Sequence, residues 1–189
     1  MTVTSREISD TLSCYLASHP DERENAAPLL SVLADGADVT SRSTMPGHVT
    51  CGAAVINDTG KVLLIRHKAL QRWLLPGGHV DPGDPGLPAT ALRELAEETG
   101  ISWRLAVSPP GLERIPLDID VHHIPANPAK GEATHWHADF RFAFSVTDPG
   151  ILLQIEEVSD YAWLQPSSLQ ATRLAAKVAR LAATRTATP

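Results

Sequence analysis

The chain has 189 residues, of which 43% are apolar and 20% charged; that is enough for one domain with a buried core and a small appendage, and it excludes a disordered, collagen-like or coiled-coil chain. A formal net charge of −6 argues against a general nucleic-acid binder, which carries a basic footprint. Cys14 and Cys51 form no Cys-x-x-Cys pair, no apolar run approaches a bilayer span and the N-terminus has no apolar signal core, so a cytoplasmic protein without disulfides or membrane contact is expected.

Residues 1–45 read as an N-terminal helical extension. Ile8, Leu12, Tyr15 and Leu16 share one helix face, and His19-Pro20-Asp21 breaks it. Leu29, Leu30, Val32 and Leu33 suit a second short helix stopped at Asp35-Gly36. An amphipathic arm must bury its face on the core or on a second copy of the chain, so a homodimer is a candidate assembly.

Residues 46–189 read as the main domain. Residues 49–56 suit a buried strand, Asn57-Asp58-Thr59-Gly60 a turn and 62–65 a second strand, so 49–66 is expected to be a hairpin. Residues 76–88 read as a loop, because eight of the thirteen are Gly or Pro. Residues 89–99 are strong helix formers, and Gly100 stops them. Residues 135–146 alternate and are rich in aromatics, which predicts a strand, and 161–164 suit a short one. Pro166-Ser167-Ser168 signals a last helix, on which Leu174, Val178 and Leu181 share a face. Arg173, Lys177, Arg180 and Arg185 carry the only charges of that segment, as a solvated face or as internal neutralisers of the acidic remainder.

The helix 89–99 carries the chemistry. At about 100° per residue, Glu94, Glu97 and Glu98 share one arc with Arg93, and Leu92, Leu95, Ala96 and Thr99 share the opposite one. Like charges this close destabilise a helix, and a bland surface helix would interleave lysines. Oxygen-only ligands suit a hard divalent cation, Mg2+ or Mn2+. The glycine-rich run before the helix lets backbone approach a ligand closely, and a helix N-terminus favours anions.

The run Gly78-His-Val-Asp-Pro-Gly-Asp84-Pro-Gly-Leu-Pro-Ala-Thr-Ala-Leu-Arg93-Glu94-Leu95-Ala96-Glu97-Glu98-Thr99-Gly100-Ile101 resembles the box of the Nudix hydrolases, and Trp73-Leu-Leu-Pro76-Gly77-Gly78-His79 resembles the lead-in common in that family. The segment Arg93 to Ile101 matches the box throughout. Two departures stand before it: the first acid is Asp84 rather than Glu, and eight rather than seven residues separate it from Arg93. A Gly/Pro loop absorbs such an insertion cheaply.

The resemblance implies an α/β Nudix fold, a mixed sheet flanked by helices, over residues 46–185. It implies hydrolysis of a diphosphate linkage in a small nucleotide-like substrate. Nucleoside triphosphates, damaged ones included, rank first, nucleotide sugars such as ADP-ribose second, and dinucleoside polyphosphates or dinucleotides third. Glu94, Glu97 and Glu98 would hold Mg2+ or Mn2+, with the backbone at Gly77 and Gly78 shaping the site. Arg93 would orient a carboxylate through a bidentate pair. A further carboxylate in Glu156-Glu157, with Glu157 preferred, would act as base ahead of the strand bearing Trp163. Two other classes compete with this reading: a non-catalytic nucleotide-sensing domain, which would lack box carboxylates, and a prenyl diphosphate isomerase, which would need a reactive Cys51.

Four histidines crowd into residues 122–137: His122, His123, His135 and His137. On a strand, His135, His137 and Asp139 would share a face, open to three readings: a transition-metal site, the lining of the substrate pocket, or hydrogen-bonded structural rings. His79, inside the glycine-rich run, is expected to meet the substrate, and His48 and His67 to be structural. Trp73, beside the same run, and Trp136 could stack on a base or fill the core.

Overall fold

In the computed structural model β1, Gly47–Ile56, is buried along its whole length because it lies at the centre of a mixed sheet. Residues 2–128, 131–147 and 149–186 are described, with Arg185 and Thr186 as backbone only. The place of the Arg185 side chain in the basic tail, and the last three residues of the 46–189 unit, therefore lie outside the described residues.

On one side β1 runs parallel to β6, His135–Ser145, in register from Gly47–Trp136 to Ile56–Ser145. Antiparallel to β6 is β5, Asp118–Ile124, at the sheet edge. Beyond Ile56 the chain turns through 57–60 into β2, Val62–His67. The expected hairpin reduces to one registered pair, Ile56–Val62, because β2 goes on to pair with β7, Val158–Leu164, and with β3, Arg72–Leu74. The Gly/Pro-rich stretch 76–88 is not a loop throughout: Gly77–His79 form β4, antiparallel to β1 through Thr50–His79, Cys51–Gly78 and Gly52–Gly77. Strand β5 does alternate, with Ile119 and Val121 between Asp118, Asp120 and His122, whereas the short β3 and β4 lack the long alternation that marks a strand in sequence.

Strand alternation divides the sheet into two faces. Val49, Cys51, Ala53 and Val55 join Phe140, Phe142 and Phe144 in one apolar cluster. Three helices cover this face: α1, Ser5–Ser18, α2, Ala27–Ala34, and α3, Leu87–Thr99. The predicted face of α1 (Ile8, Leu12, Tyr15, Leu16) is buried in that same cluster, so the arm packs on the core of its own chain.

The opposite face is half covered. Leu174 and Val178 of α4, Thr172–Thr186, pack on Ala54, Ile56, Val62 and Ala143. Toward the N-terminal ends of β1 and β6 the same face turns polar: His48 and Thr50 on β1, His137, Asp139 and Arg141 on β6. The tail's cations are largely internal neutralisers. Asp118, 1% exposed, is met by Arg141 at 3.1 Å, Arg173 at 2.8 Å and Lys177 at 3.0 Å. Lys177 also reaches the buried Glu22 at 2.6 Å. Arg180 is exposed. Among the described residues no helix is long and apolar enough to cross a membrane.

Candidate active site

The acidic helix α3 starts after Gly86, which offers no side chain to cap it. Glu7 of α1 does so instead: its Oε1 accepts the Leu87 N–H at 3.1 Å. Gly100 ends the helix in the left-handed region, φ 70°, where a residue without Cβ is favoured.

Arg93 organises the carboxylates. Its Nε and Nη2 donate to the two oxygens of Asp84 at 2.9 and 3.1 Å, a bidentate pair. Nη2 also donates to the His79 carbonyl at 2.8 Å. Nη1 donates to Glu94 and to Glu97, each at 3.0 Å. Asp84 is 4% exposed and accepts the Asp81 N–H at 2.9 Å. Burial pushes its carboxyl up, but the Arg93 and backbone hydrogen bonds outweigh that and hold it below the usual range. The shorter acid and the longer spacing thus still bring a carboxylate onto Arg93.

Glu98, which the helix wheel puts on the open arc, is 5% exposed. It lies under β4, where its Oε2 accepts the Gly77 N–H at 2.9 Å. Burial pushes its carboxyl up to about 8, with the charges of Glu94 and Glu157 adding to the effect. Burial likewise raises Glu94 to about 6, against the pull of Arg93. Glu97 is the open member of the set, its side chain 56% exposed. Gly77 is required sterically, because a Cβ there would meet backbone, whereas a Cβ at Gly78 would displace the Glu94 carboxylate. A Cβ at Gly78 would sit 2.4 Å from Glu94 Oε1, and one at Gly77 would sit 2.5 Å from the Cys51 carbonyl. Four carboxylates, Asp84, Glu94, Glu97 and Glu98, stand against the one Arg93 guanidinium, and Glu94 and Glu98 are pushed toward protonation, which leaves a cation-sized electrostatic deficit. An oxygen-only donor set beside a backbone cradle fits Mg2+ or Mn2+.

The loop before β7 approaches the C-terminal end of α3. The Leu152 N–H donates to the Thr99 carbonyl at 2.9 Å and the Gln154 N–H to the Glu98 carbonyl at 3.2 Å. Of the two candidate bases, Glu157 is the one whose charge is among the larger influences on Glu98. Cys51 is fully buried, and burial drives its thiol pKa well up, which makes it a poor nucleophile.

On the half-covered face β4 and β6 bring the predicted histidines together. His135 Nε2 and His137 Nε2 lie 3.1 Å apart. The His79 ring centroid is 5.2 Å from that of His137 and 5.1 Å from that of His48. His48 is therefore part of this group rather than an isolated structural ring, and finding it needed the β1–β6 register, which sets it opposite His137. Asp139 does not join the histidines: Arg141 takes it at 2.8 Å and Thr50 donates to it at 3.2 Å. Burial, reinforced by neighbouring rings, lowers His137 to about 3 and His79 to about 4. His67 serves a turn, accepting the Ala69 N–H at 3.1 Å. Trp73 sits opposite Arg66 and so on the face of Val62 and Ile56, the face of the histidines. The Trp136 ring covers Gly47, where a Cβ would lie 2.1 Å from it, and Trp163 packs on the core.

Against known proteins, the NUDIX domain model matches residues 46–184. The chain belongs to the Nudix family. It is 40% identical over 104 residues to the Xenopus laevis protein Nucleoside diphosphate-linked moiety X motif 6, which covers 51% of this chain and 45% of that protein. It is 32% identical over 116 residues to a probable DHNTP pyrophosphohydrolase of Lactococcus lactis, covering 57% of this chain and 65% of that one. The chain thus spans less than two thirds of either relative's length. A solved Caenorhabditis elegans Ap4A hydrolase superimposes with a TM-score of 0.54 over 72% of this chain and 98% of that chain. At 17% identity that likeness establishes the Nudix fold, a mixed sheet flanked by helices, and nothing finer.

Proposed function

We propose that this Nudix chain is a Mg2+- or Mn2+-dependent hydrolase that cleaves a diphosphate linkage in a nucleoside-diphosphate-linked small molecule. The convergence of Glu98 and Glu94 on the backbone of Gly77 and Gly78, with Glu97 held beside Glu94 by their shared Arg93, carries this reading. It is supported by the relative named as a pyrophosphohydrolase. Nucleoside triphosphates rank first as substrates and ADP-ribose or a nucleotide sugar second. A cytoplasmic setting goes with such substrates.

Glu94, Glu97, Glu98 and the backbone at Gly78 would hold the ion. When bound, it neutralises the diphosphate and makes a bound water more acidic. Asp84 fixes the Arg93 plane, and Arg93 in turn holds Glu94 and Glu97 at set positions. The Gly77 N–H orients Glu98. Glu157 takes the proton of the attacking water as general base. His79, His135 and His137 meet the substrate from the floor of the polar face, and Trp73 offers a ring for its base. The site draws on one chain; a homodimer, the other assembly proposed, is read by light scattering on the full-length protein.

The test is a substrate panel scored for phosphate or diphosphate release with Mg2+, Mn2+ or EDTA, run beside Glu97→Gln and Glu98→Gln. Turnover that needs the metal and falls by at least about a hundredfold in both variants is expected. No turnover on any compound, with a nucleotide still raising the melting temperature, would replace the hydrolase by a nucleotide-sensing module.

A further inference from the structure

Three imidazoles on the polar face, from His48, His135 and His137, each offer one nitrogen, and these nitrogens all lie within 4.8 Å of one another. They come from two strands locked in parallel register, with His48 directly opposite His137. His48 is 2% exposed, and its Nε2 is buried without a hydrogen-bond partner among the described residues. A buried polar atom left in that state is expensive, and proteins seldom keep one without a reason.

The hydrogen bonds around the rings set their tautomers. His48 Nδ1 faces the Thr44 carbonyl at 3.4 Å, and His135 Nδ1 faces the Ala133 carbonyl at 2.9 Å. A carbonyl only accepts, so each Nδ1 carries the proton and each Nε2 presents a bare lone pair. His137 Nε2, 3.1 Å away, can donate to the His135 lone pair, whereas the His48 lone pair has no donor among the described residues. Orientation of a ring by a backbone carbonyl on its far nitrogen is the arrangement that supports metal-bound histidine. The neighbouring carboxylate, Asp139, is committed to Arg141 and Thr50.

We infer that His48, His135 and His137 form a binding site for a borderline-soft divalent cation, Zn2+ first, separate from the carboxylate set on α3. An all-imidazole donor set suits Zn2+ and disfavours Mg2+, which takes oxygen. Nitrogens on a tetrahedral Zn2+ sit about 3.3 Å apart, given Zn–N bonds of about 2.0–2.1 Å. The His135–His137 pair already stands at 3.1 Å, and no pair in the set is wider than 4.8 Å. Three protein ligands leave the fourth position open, as in zinc sites that bind a small molecule. The His79 ring flanks that opening, and its own carbonyl is held by Arg93. The two cation sites would therefore lie on opposite sides of β4, one reading oxygen donors and the other nitrogen donors.

The full-length protein, held in excess Mg2+ so that the carboxylate set is occupied, is titrated with Co2+ as a visible probe of Zn2+ sites. One equivalent is expected to bind with the visible absorption of a nitrogen-ligated, low-coordinate Co2+ ion, and Zn2+ is expected to displace it. His135→Gln and His137→Gln should lose this band, with affinity down by more than the roughly 10–100-fold that outer-shell changes cause. Both rings are only half-buried, and circular dichroism checks that the variants fold. Glu97→Gln should keep the band, and Zn2+ should raise the melting temperature of Glu97→Gln but not of His135→Gln. Absence of a stoichiometric band in the wild type, or its survival in both folded histidine variants, would overturn the site. None of these readouts depends on hydrolysis, so the site and the hydrolase reading stand or fall separately.

Discussion

The Glu7 carboxylate, from the first turn of α1, accepts the Leu87 N–H at 3.1 Å and so caps the helix that carries Glu94, Glu97 and Glu98. The arm is thus more than a cover for the core. Val3 N–H also donates to the Asp84 carbonyl at 3.1 Å, which ties the same arm to the loop that sets Arg93. An acid at a helix N-terminus satisfies an orphan donor and complements the helix dipole. Glu7→Ala should lower stability by about 1 kcal/mol. In a protein of this size that is about 2–4 °C in the melting temperature. Glu7→Gln keeps an acceptor and should lose less. Thermal unfolding of the two variants checks this, and equal, negligible shifts would refute the cap.

Asp84 and Arg93 act as a unit. Arg93→Lys keeps the charge but not the planar fork, and should lose about 1.5–3 kcal/mol of stability through the missing charge-assisted hydrogen bonds. Arg93→Ala leaves Asp84 buried and unpaired and should lose about 3–5 kcal/mol. Adding Asp84→Ala to Arg93→Ala should then recover part of the loss, because the stranded charge is gone. A double-mutant cycle by urea denaturation should show a coupling of about 0.5–3 kcal/mol. Additive effects would mean that the pair is incidental.

The helix, its carboxylate arc and the strands 49–56 and 135–146 were legible because long periodic segments carry their own signal. The burial of Glu98 was not. The wheel groups Glu98 with Glu97, and only the approach of β4, a three-residue strand inside a Gly/Pro run, separates the buried acid from the open one. The His48–His137 relationship was hidden for a similar reason, since the two residues are far apart in sequence and meet only through a parallel pairing. For Arg93 the family resemblance implied a bidentate carboxylate partner without naming it. Asp84 fills that role across a spacing one residue longer than the family pattern, because the loop and not the helix takes up the extra residue.

The acid stability of the protein should follow the carboxylates around Arg141. The His122 contact lowers Asp120 to about 2 from its ordinary 3.8, with Arg141 adding to it against burial. Burial raises Asp118, but Arg173, Arg141 and Lys177 outweigh it and hold the carboxyl below its ordinary value. Between pH 3.8 and about 2 the unfolded chain binds more protons at Asp120 than the folded one, so stability rises with pH across that window. The contribution, about 2 kcal/mol for Asp120, is complete above about pH 4 and is lost as the pH falls through about 2. Urea midpoints measured from pH 5 down to pH 2 should drop in the wild type and drop less steeply in Asp120→Asn. Parallel pH profiles would show that the network contributes nothing to the difference.

Glu156 and Glu157 are adjacent in sequence but differ in how they are held. The Glu157 N–H donates to Gln154 Oε1 at 2.9 Å, and its carbonyl accepts the Lys68 N–H at 2.8 Å. The loop is pinned further by the Gln154 N–H on the Glu98 carbonyl. Both side chains are exposed, and among the described residues Glu156 makes no hydrogen bond or ion pair. A base must be held within reach of the water that it deprotonates, and a glutamate fixed at both its N–H and its carbonyl beside Glu98 meets that need. Glu157→Gln should therefore lower kcat by about 10²–10⁴ with little change in KM, because the amide preserves size and contacts but takes no proton. Glu156→Gln should leave kcat within about twofold, as a solvated surface change does. Steady-state kinetics on the substrate that the panel identifies separate the two, and equal losses, or a loss only in Glu156→Gln, would move the base elsewhere.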